Sequence, residues 1–215
     1  MYRALSSLTV SLALLSIAFG TSGAPAIGSA EAAQVTAAIS QARITDADLE
    51  EMRSWIAVPV TVATLRGLNA QQSALSQSDI EALDTAWRAE REQIGDRPLV
   101  AELMARPLSN YLIRRQAMAN GLYTEIFVVT DRGLNAGQSA VTSDYWQGDE
   151  AKFTKTFEVG PDAVFIDEAE LHEGSGTWRQ QVNFTIVDPD NGAAIGAVTI
   201  EVNLTELARR RAVGS

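Results

Sequence analysis

The chain contains no cysteine in 215 residues. No disulfide and no thiolate metal site can form, so an apolar core must hold the fold together, which this length permits. Histidine is nearly absent too. His172 stands alone in a polar loop, Glu173-Gly174-Ser175-Gly176, with no nucleophile or second ligand beside it, which argues against His-based hydrolysis and a zinc centre. No glycine-rich phosphate loop and no Walker lysine occur. Basic residues are in deficit, 17 against 27 acids for a formal net charge of −10. That balance disfavours nucleic acid and anionic membrane surfaces, whose phosphates need basic patches. These absences point to a protein that is not an enzyme and needs no cofactor.

Long hydrophobic runs are missing as well. The longest, Leu5 to Phe19, is short for a membrane span and is interrupted by serines. Behind Arg3 and ahead of the small-residue sites Ala24-Pro25-Ala26 and Ala30-Glu31-Ala32, it reads as a secretory signal peptide over residues 1–26, with cleavage at 32 as the alternative. The expected location is the periplasm. Residues 34–212 then form a single domain.

The first half of that domain has helical periodicity. Gln34 to Arg43 is an alanine-rich first helix. Leu49, Met52, Ile56 and Val60 share a face of the next, capped by Thr45 or Asp46, with Pro59 as a kink or break and Gly67-Leu68-Asn69 as its exit. Ser76 to Gln93 carries the stripe Ile80, Leu83, Trp87 and Ile94, with Ser78 as its cap. Short helices follow at Pro98 to Met104 and Leu108 to Met118. After Asn120-Gly121 the period becomes two. Tyr123 to Thr130 and Leu134 to Ser139 make a hairpin across Asp131-Arg132-Gly133. Phe153 and Phe157 mark a short helix, and Val164-Phe165-Ile166 a short strand. Trp178 to Val187 and Ala194 to Asn203 form a second hairpin, followed by a terminal helix, Leu204 to Arg211. Helices first and a meander second define an α+β domain, one antiparallel sheet with the long N-terminal helices packed on one face. Val182, Phe184 and Ile186 mark the core face. Gln181, Asn183 and Thr185 mark a polar one.

Between the first hairpin and the short helix lies Ser143-Asp144-Tyr145-Trp146-Gln147-Gly148-Asp149-Glu150. Adjacent aromatics among acids and amides on a connection suit a binding site that is apolar in body and hydrogen-bonding at its tip. Plain packing at the sheet edge is the competing reading for Tyr145 and Trp146. Asp149 reads as a helix N-cap before it reads as a ligand contact, and an Asx-turn competes for Asp144. Asp188, Asp190 and Gly192 resemble half a calcium loop, but Thr199 stands where the bidentate Glu belongs, so a hairpin turn is the reading. The acids Asp167, Glu168 and Glu170 read as a solvated rim.

The runs YTEIFVVTDRGLNAGQS, TSDYWQGDEAKF, VGPDAVFI and VDPDNGAAIGAVTIEVN together resemble a single Cache domain, the extracytoplasmic PAS-like sensor fold also called a PDC sensor, over roughly residues 110–205. The resemblance implies a small-molecule sensor whose ligand sits between the sheet and the loop-plus-helix after the first hairpin. Asp144, Tyr145, Trp146 and Asp149 would then lie over the ligand, and Tyr123, Phe127 and Asn183 beneath it. Amino-acid-sensing double Cache domains grip a carboxylate with an arginine and aromatics. Here Gln147 and Gly148 follow the aromatics and no arginine lies in the segment, so that specificity does not carry over. The expected ligand is a small polar molecule, and the expected partner a membrane-bound kinase, cyclase or receptor served by a free-standing periplasmic subunit. A structural or interaction module with the same fold and no ligand is the alternative.

Overall fold

The computed structural model describes residues 42–214. The signal peptide at 1–26, its alternative cleavage site at 32 and most of the helix expected at Gln34–Arg43 lie outside the described residues. Among those described, no helix is long and apolar enough to cross a membrane.

Helix α1 (Asp46–Ile56) starts at Thr45, whose side chain accepts from the Asp48 amide while the Asp48 carboxylate accepts from the Thr45 amide. Pro59 begins α2 (Pro59–Gln72) instead of kinking a longer helix, because a residue without an N–H costs nothing in a first turn. The exit expected at Gly67-Leu68-Asn69 does not occur. Asn69 braces the helix to the sheet, donating to the Ile195 carbonyl at 2.8 Å and accepting from the Asp131 amide at 3.2 Å. Helix α3 (Gln77–Glu92) is capped by Ser76 and not by Ser78; Ser76 and Asp79 make a reciprocal box. Ile80 and Trp87 are buried as expected, but Ile94 lies past the helix end and is fully exposed. Helices α4 (Pro98–Ala105) and α5 (Pro107–Met118) each open on a proline.

Left-handed Asn120 and Gly121 end α5 and turn the chain into the sheet. Its strands are β1 (Tyr123–Thr130), β2 (Asn135–Gln138), β3 (Val164–Ile166), β4 (Glu170–His172), β5 (Thr177–Val187) and β6 (Ala194–Asn203). The short helix α6 (Ala151–Thr154) falls between β2 and β3, and α7 (Leu204–Gly214) closes the chain. All pairings are antiparallel, in the order β2-β1-β6-β5-β3, with β4 also on β5. The segment expected as a solvated rim thus contributes β4, through Glu170 opposite Arg179.

The main core lies between one face of the sheet and the helices. Ile126, Val128, Val182, Phe184, Val198, Ile200 and Val202 meet Trp55, Ile56, Leu65, Leu108 and Leu112 there. The fold is therefore α+β, one antiparallel sheet with helices on one face, as the Cache resemblance implies. A smaller core joins α3 and α4 to the first hairpin through Ile80, Trp87, Val100, Leu103, Leu134 and Tyr145.

Candidate ligand-binding site

Alternation gives the sheet a second face, turned away from the helices. Pairing aligns Glu125, Glu201 and Gln181 in one row across it, then Phe127, Thr199, Asn183 and Phe165 in the next. Val129, Ala197 and Thr185 form the third. Residues 151–160 cover this face as a lid. Phe153 packs on Phe127, Val129 and Ala197, and stacks on Phe157 with centroids 5.1 Å apart. Lys152 places its ammonium 5.4 Å from the Phe127 ring centroid, and Lys155 lies 4.2 Å from that of Phe165.

Polar atoms are trapped beneath this cover. Asn183 is fully buried; its Nδ2 donates to the Phe165 carbonyl at 3.0 Å, while its Oδ1 has no partner. Thr185 Oγ1 is also buried and unpartnered. A buried polar atom without a partner costs about 1–3 kcal/mol, so two on one face ask for an explanation. At the edge of the lid a cleft of about 420 Å³ opens among Lys152, Arg179, Gln181 and six acids, Glu150, Asp167, Glu168, Glu170, Glu173 and Glu201. Its size falls in the range of small-molecule sites. Both cations are engaged: Arg179 pairs with Glu201 at 2.8 Å, and Lys152 with Glu150 at 3.0 Å. Glu125 faces Glu201 across the β1–β6 pair. Burial first, and then the Glu201 charge, push its carboxyl above the usual range, against the opposing pull of Lys152 and Arg179.

Of the seven residues marked in the sequence, Phe127 and Asn183 come together on this face. Tyr123 does not join them. A bulge between Tyr123 and Glu125 shifts the register by one, so Tyr123 pairs with Val202 and turns toward the helices. There its hydroxyl donates to Glu51 at 2.8 Å, and burial followed by this carboxylate raises the phenol above its ordinary value.

Asp144, Tyr145 and Trp146 are drawn away from the lid-covered face by α3. The buried Asp84 carboxylate accepts from the Tyr145 amide at 2.8 Å and the Trp146 amide at 3.1 Å. Arg88 bridges Asp84 to Asp144, at 2.7 and 2.9 Å. Tyr145 stacks on Trp87 at 5.4 Å, and Trp146 donates to the Arg132 carbonyl. The indole lies over Gly148, whose backbone approaches Gly133 so closely that a Cβ there would meet it at 2.6 Å; Gly133 also has φ of +72°. Asp149 is exposed and does not cap α6, whose N-cap is Glu150 with no side-chain cap bond. These contacts match the packing reading of Tyr145 and Trp146.

Sequence reasoning passed over Glu125, Lys152 and Glu201 as site residues, although one signal was available. Lys152 and Lys155 are the only lysines in the chain, and both fall on the lid. Among the described residues no group of acids and histidines is arranged to hold a metal ion.

No family model matches the chain, and no curated protein is similar to it in sequence. Solved structures do resemble it. The ligand-binding domain of the Campylobacter jejuni chemoreceptor Tlp3, in complex with 4-methylisoleucine, is 14% identical over 72% of this chain and 64% of that one, with a TM-score of 0.36. The ligand-binding domain of the Pseudomonas aeruginosa amino acid chemoreceptor PctC, in complex with GABA, is 13% identical over 67% of this chain and 58% of that one, with a TM-score of 0.33. The E. coli DcuS sensor domain is 16% identical over 69% and 98% of the two chains, with a TM-score of 0.36. The chain thus spans less than two thirds of either chemoreceptor domain. All three are sensor or ligand-binding domains.

Proposed function

We propose that the protein is a periplasmic sensor domain of the Cache type that captures a small polar ligand between the 151–160 lid and the sheet, and passes its occupancy to a membrane-bound kinase, cyclase or receptor. The observation that carries this reading is the pair of buried, unpartnered atoms beneath the lid, Asn183 Oδ1 and Thr185 Oγ1. A ligand that hydrogen-bonds to them recovers a desolvation cost already present in the protein, and the cleft opens one row away on the same face, at Gln181 and Glu201. Phe127 and Asn183 serve as floor, and Lys152 and Phe153 as cover. Capture shifts the lid toward its closed conformers, which the partner reads.

The chemistry supplies a clean test. Thr185→Val removes an unsatisfied hydroxyl and should fold with stability equal to or above the parent, whereas Asn183→Leu also gives up the bond to the Phe165 carbonyl and should cost about 1 kcal/mol while still folding. In a thermal-shift screen against amines, organic acids, amino acids and polyols, the parent should respond to at least one class, and the two variants should lose that response. Equal responses in parent and variants, or none from the folded parent, would overturn the reading.

A further inference from the structure

We propose a second binding site, on the helix-covered side of the sheet, for a monocarboxylate with an apolar body, held by the guanidinium of Arg115. It uses no residue of the lid-covered face and stands independently of the sensor reading above. A cavity of about 450 Å³ opens where α1, the end of α5, the start of β1 and α7 come together. That volume suits a small molecule.

The cavity has an apolar body. Ile44, Met52, Met118, Leu122, Val202 and Leu207 line it, and Met118 stands exposed among them. Unbranched methionines adapt to the shape of whatever packs on them. Asp48, Glu51, Arg115 and Arg210 are the charged side chains of the lining, and all but Arg115 are hydrogen-bonded. Asp48 accepts from the Thr45 amide at 2.7 Å and pairs with Arg211 at 2.6 Å. Arg210 pairs with Glu206 at 2.8 Å and donates to the Ala119 and Asn120 carbonyls. Glu51 accepts on one oxygen from the Tyr123 hydroxyl at 2.8 Å and from Trp55 Nε1 at 3.1 Å.

Arg115 is the exception. Its Nε is buried without a partner, and its Nη2 stands 3.6 Å from Glu51, beyond good hydrogen-bonding reach. The guanidinium is nonetheless fixed, with its carbon 4.6 Å from the Trp55 ring centroid. It borders the cavity and its side chain keeps 24% exposure, so a ligand can reach the fork. A guanidinium carries donors only, so its unmet bonding asks for an acceptor and turns away an ammonium. Arg88 shows how such a fork is completed in this protein: Nη2 pairs with Asp84 at 2.7 Å and Nε with Asp144 at 2.9 Å. One arginine there holds two carboxylates. Arg115 already has the first in Glu51, whose charge the Tyr123 and Trp55 donors blunt. A ligand carboxylate on the Nε side is the second, and it enters without breaking the Glu51 contact. The rest of the ligand then lies along the methionines and Leu122.

Three compounds of one chain length separate the outcomes: octanoate, octan-1-ol and the ammonium of octan-1-amine, titrated calorimetrically into the intact protein. Octanoate should bind, the alcohol should bind about tenfold more weakly, and the ammonium should not bind. Arg115→Met should weaken octanoate binding by about tenfold. Ala47→Trp, at an exposed helix position on the cavity wall, should weaken it too, and it decides the matter if the arginine variant folds poorly. Thr185→Val should leave octanoate binding unchanged, which separates this site from the lid-covered one. Absence of octanoate binding overturns the proposal, as does an alcohol or ammonium that binds as tightly. Octanoate affinity that is unchanged in folded Arg115→Met or in Ala47→Trp, or that falls in Thr185→Val, overturns the placement of the site.

Discussion

Asp84 decides where the aromatic loop goes. It is a buried carboxylate near the middle of α3, and both of its oxygens are used: Oδ1 by two loop amides and Oδ2 by Arg88. Trp87, three residues on, donates to the Thr142 carbonyl, and Arg91 donates to that of Ser143. Asp84→Ala leaves two amides in a dry setting without an acceptor and should cost about 3 kcal/mol in urea unfolding. Asp84→Asn keeps one acceptor oxygen and should cost about 1 kcal/mol. Near-ultraviolet circular dichroism should show weakened tryptophan bands in the alanine variant, because Trp146 and Tyr145 are then no longer held against α3 while Trp55 stays buried in the main core. Retained stability and unchanged bands in Asp84→Ala would refute this account of the loop. Nothing near Asp84 in the sequence advertises the role. It shares the buried face of the helix with Ile80, Trp87 and Glu90, and its partners are 61 and 62 residues away. A Tyr-Trp pair in a polar loop is conspicuous locally, but what it packs against is a long-range property.

At the scale of elements, sequence periodicity was a good guide wherever one period held throughout. β6 has the expected bounds, β5 begins one residue early, and every helix expected within the described residues is present. Failures cluster where a single side-chain bond or an extra residue intervenes. Asn69 anchors α2 beyond its glycine, and the β1 bulge reverses the side on which Tyr123 falls. That bulge matters for the site, since residues 123 and 127 share a face in any unbroken strand. The polar face of β5 was legible, and Asn183 with it. The lid lysines were not read as part of the site, because a four-residue helix has too little periodicity to show which side chains it lays on a sheet. Caps are readable in principle, but Ser76 and Ser78 both offered an oxygen, and only the position of Asp79, three residues after Ser76, completes a reciprocal box. Ser76→Ala should therefore lower stability by about 1 kcal/mol, and Ser78→Ala by much less. Chemical denaturation of the two variants side by side tests this, and equal losses would reassign the cap.

For the molecule as a whole, the carboxylates divide into two groups with opposite pH dependence. Hydrogen bonds from Arg66 and the Asp190 amide hold Asp188 below its ordinary value, and Arg209 and Arg210 bring Glu206 down to about 2. Burial alone would raise Asp48, but bonds from Thr45 and Arg211 outweigh it and leave Asp48 lowered. The stabilisation from these three is present above the unfolded carboxylate values and is lost as pH falls through the folded ones. Glu125 behaves the other way. Burial and Glu201 raise it above 4.5, so the folded state holds its proton more tightly than the unfolded chain does. Its contribution is fully present below 4.5 and is lost as pH rises through the folded value. Tyr123, raised by burial and Glu51, adds a second loss as pH rises beyond the ordinary phenol value of 10.0. Stability should then decline as pH rises above 4.5 through the folded Glu125 value, and fall again at both extremes. Glu125→Gln, which cannot ionise, should flatten the decline above pH 4.5 and leave the acid limb in place. Tyr123→Phe should soften only the alkaline limb. Urea midpoints collected from pH 3 to 11 for the parent and both variants would reveal each limb, and a parent whose decline above pH 4.5 persists unchanged in Glu125→Gln would show that another group carries it.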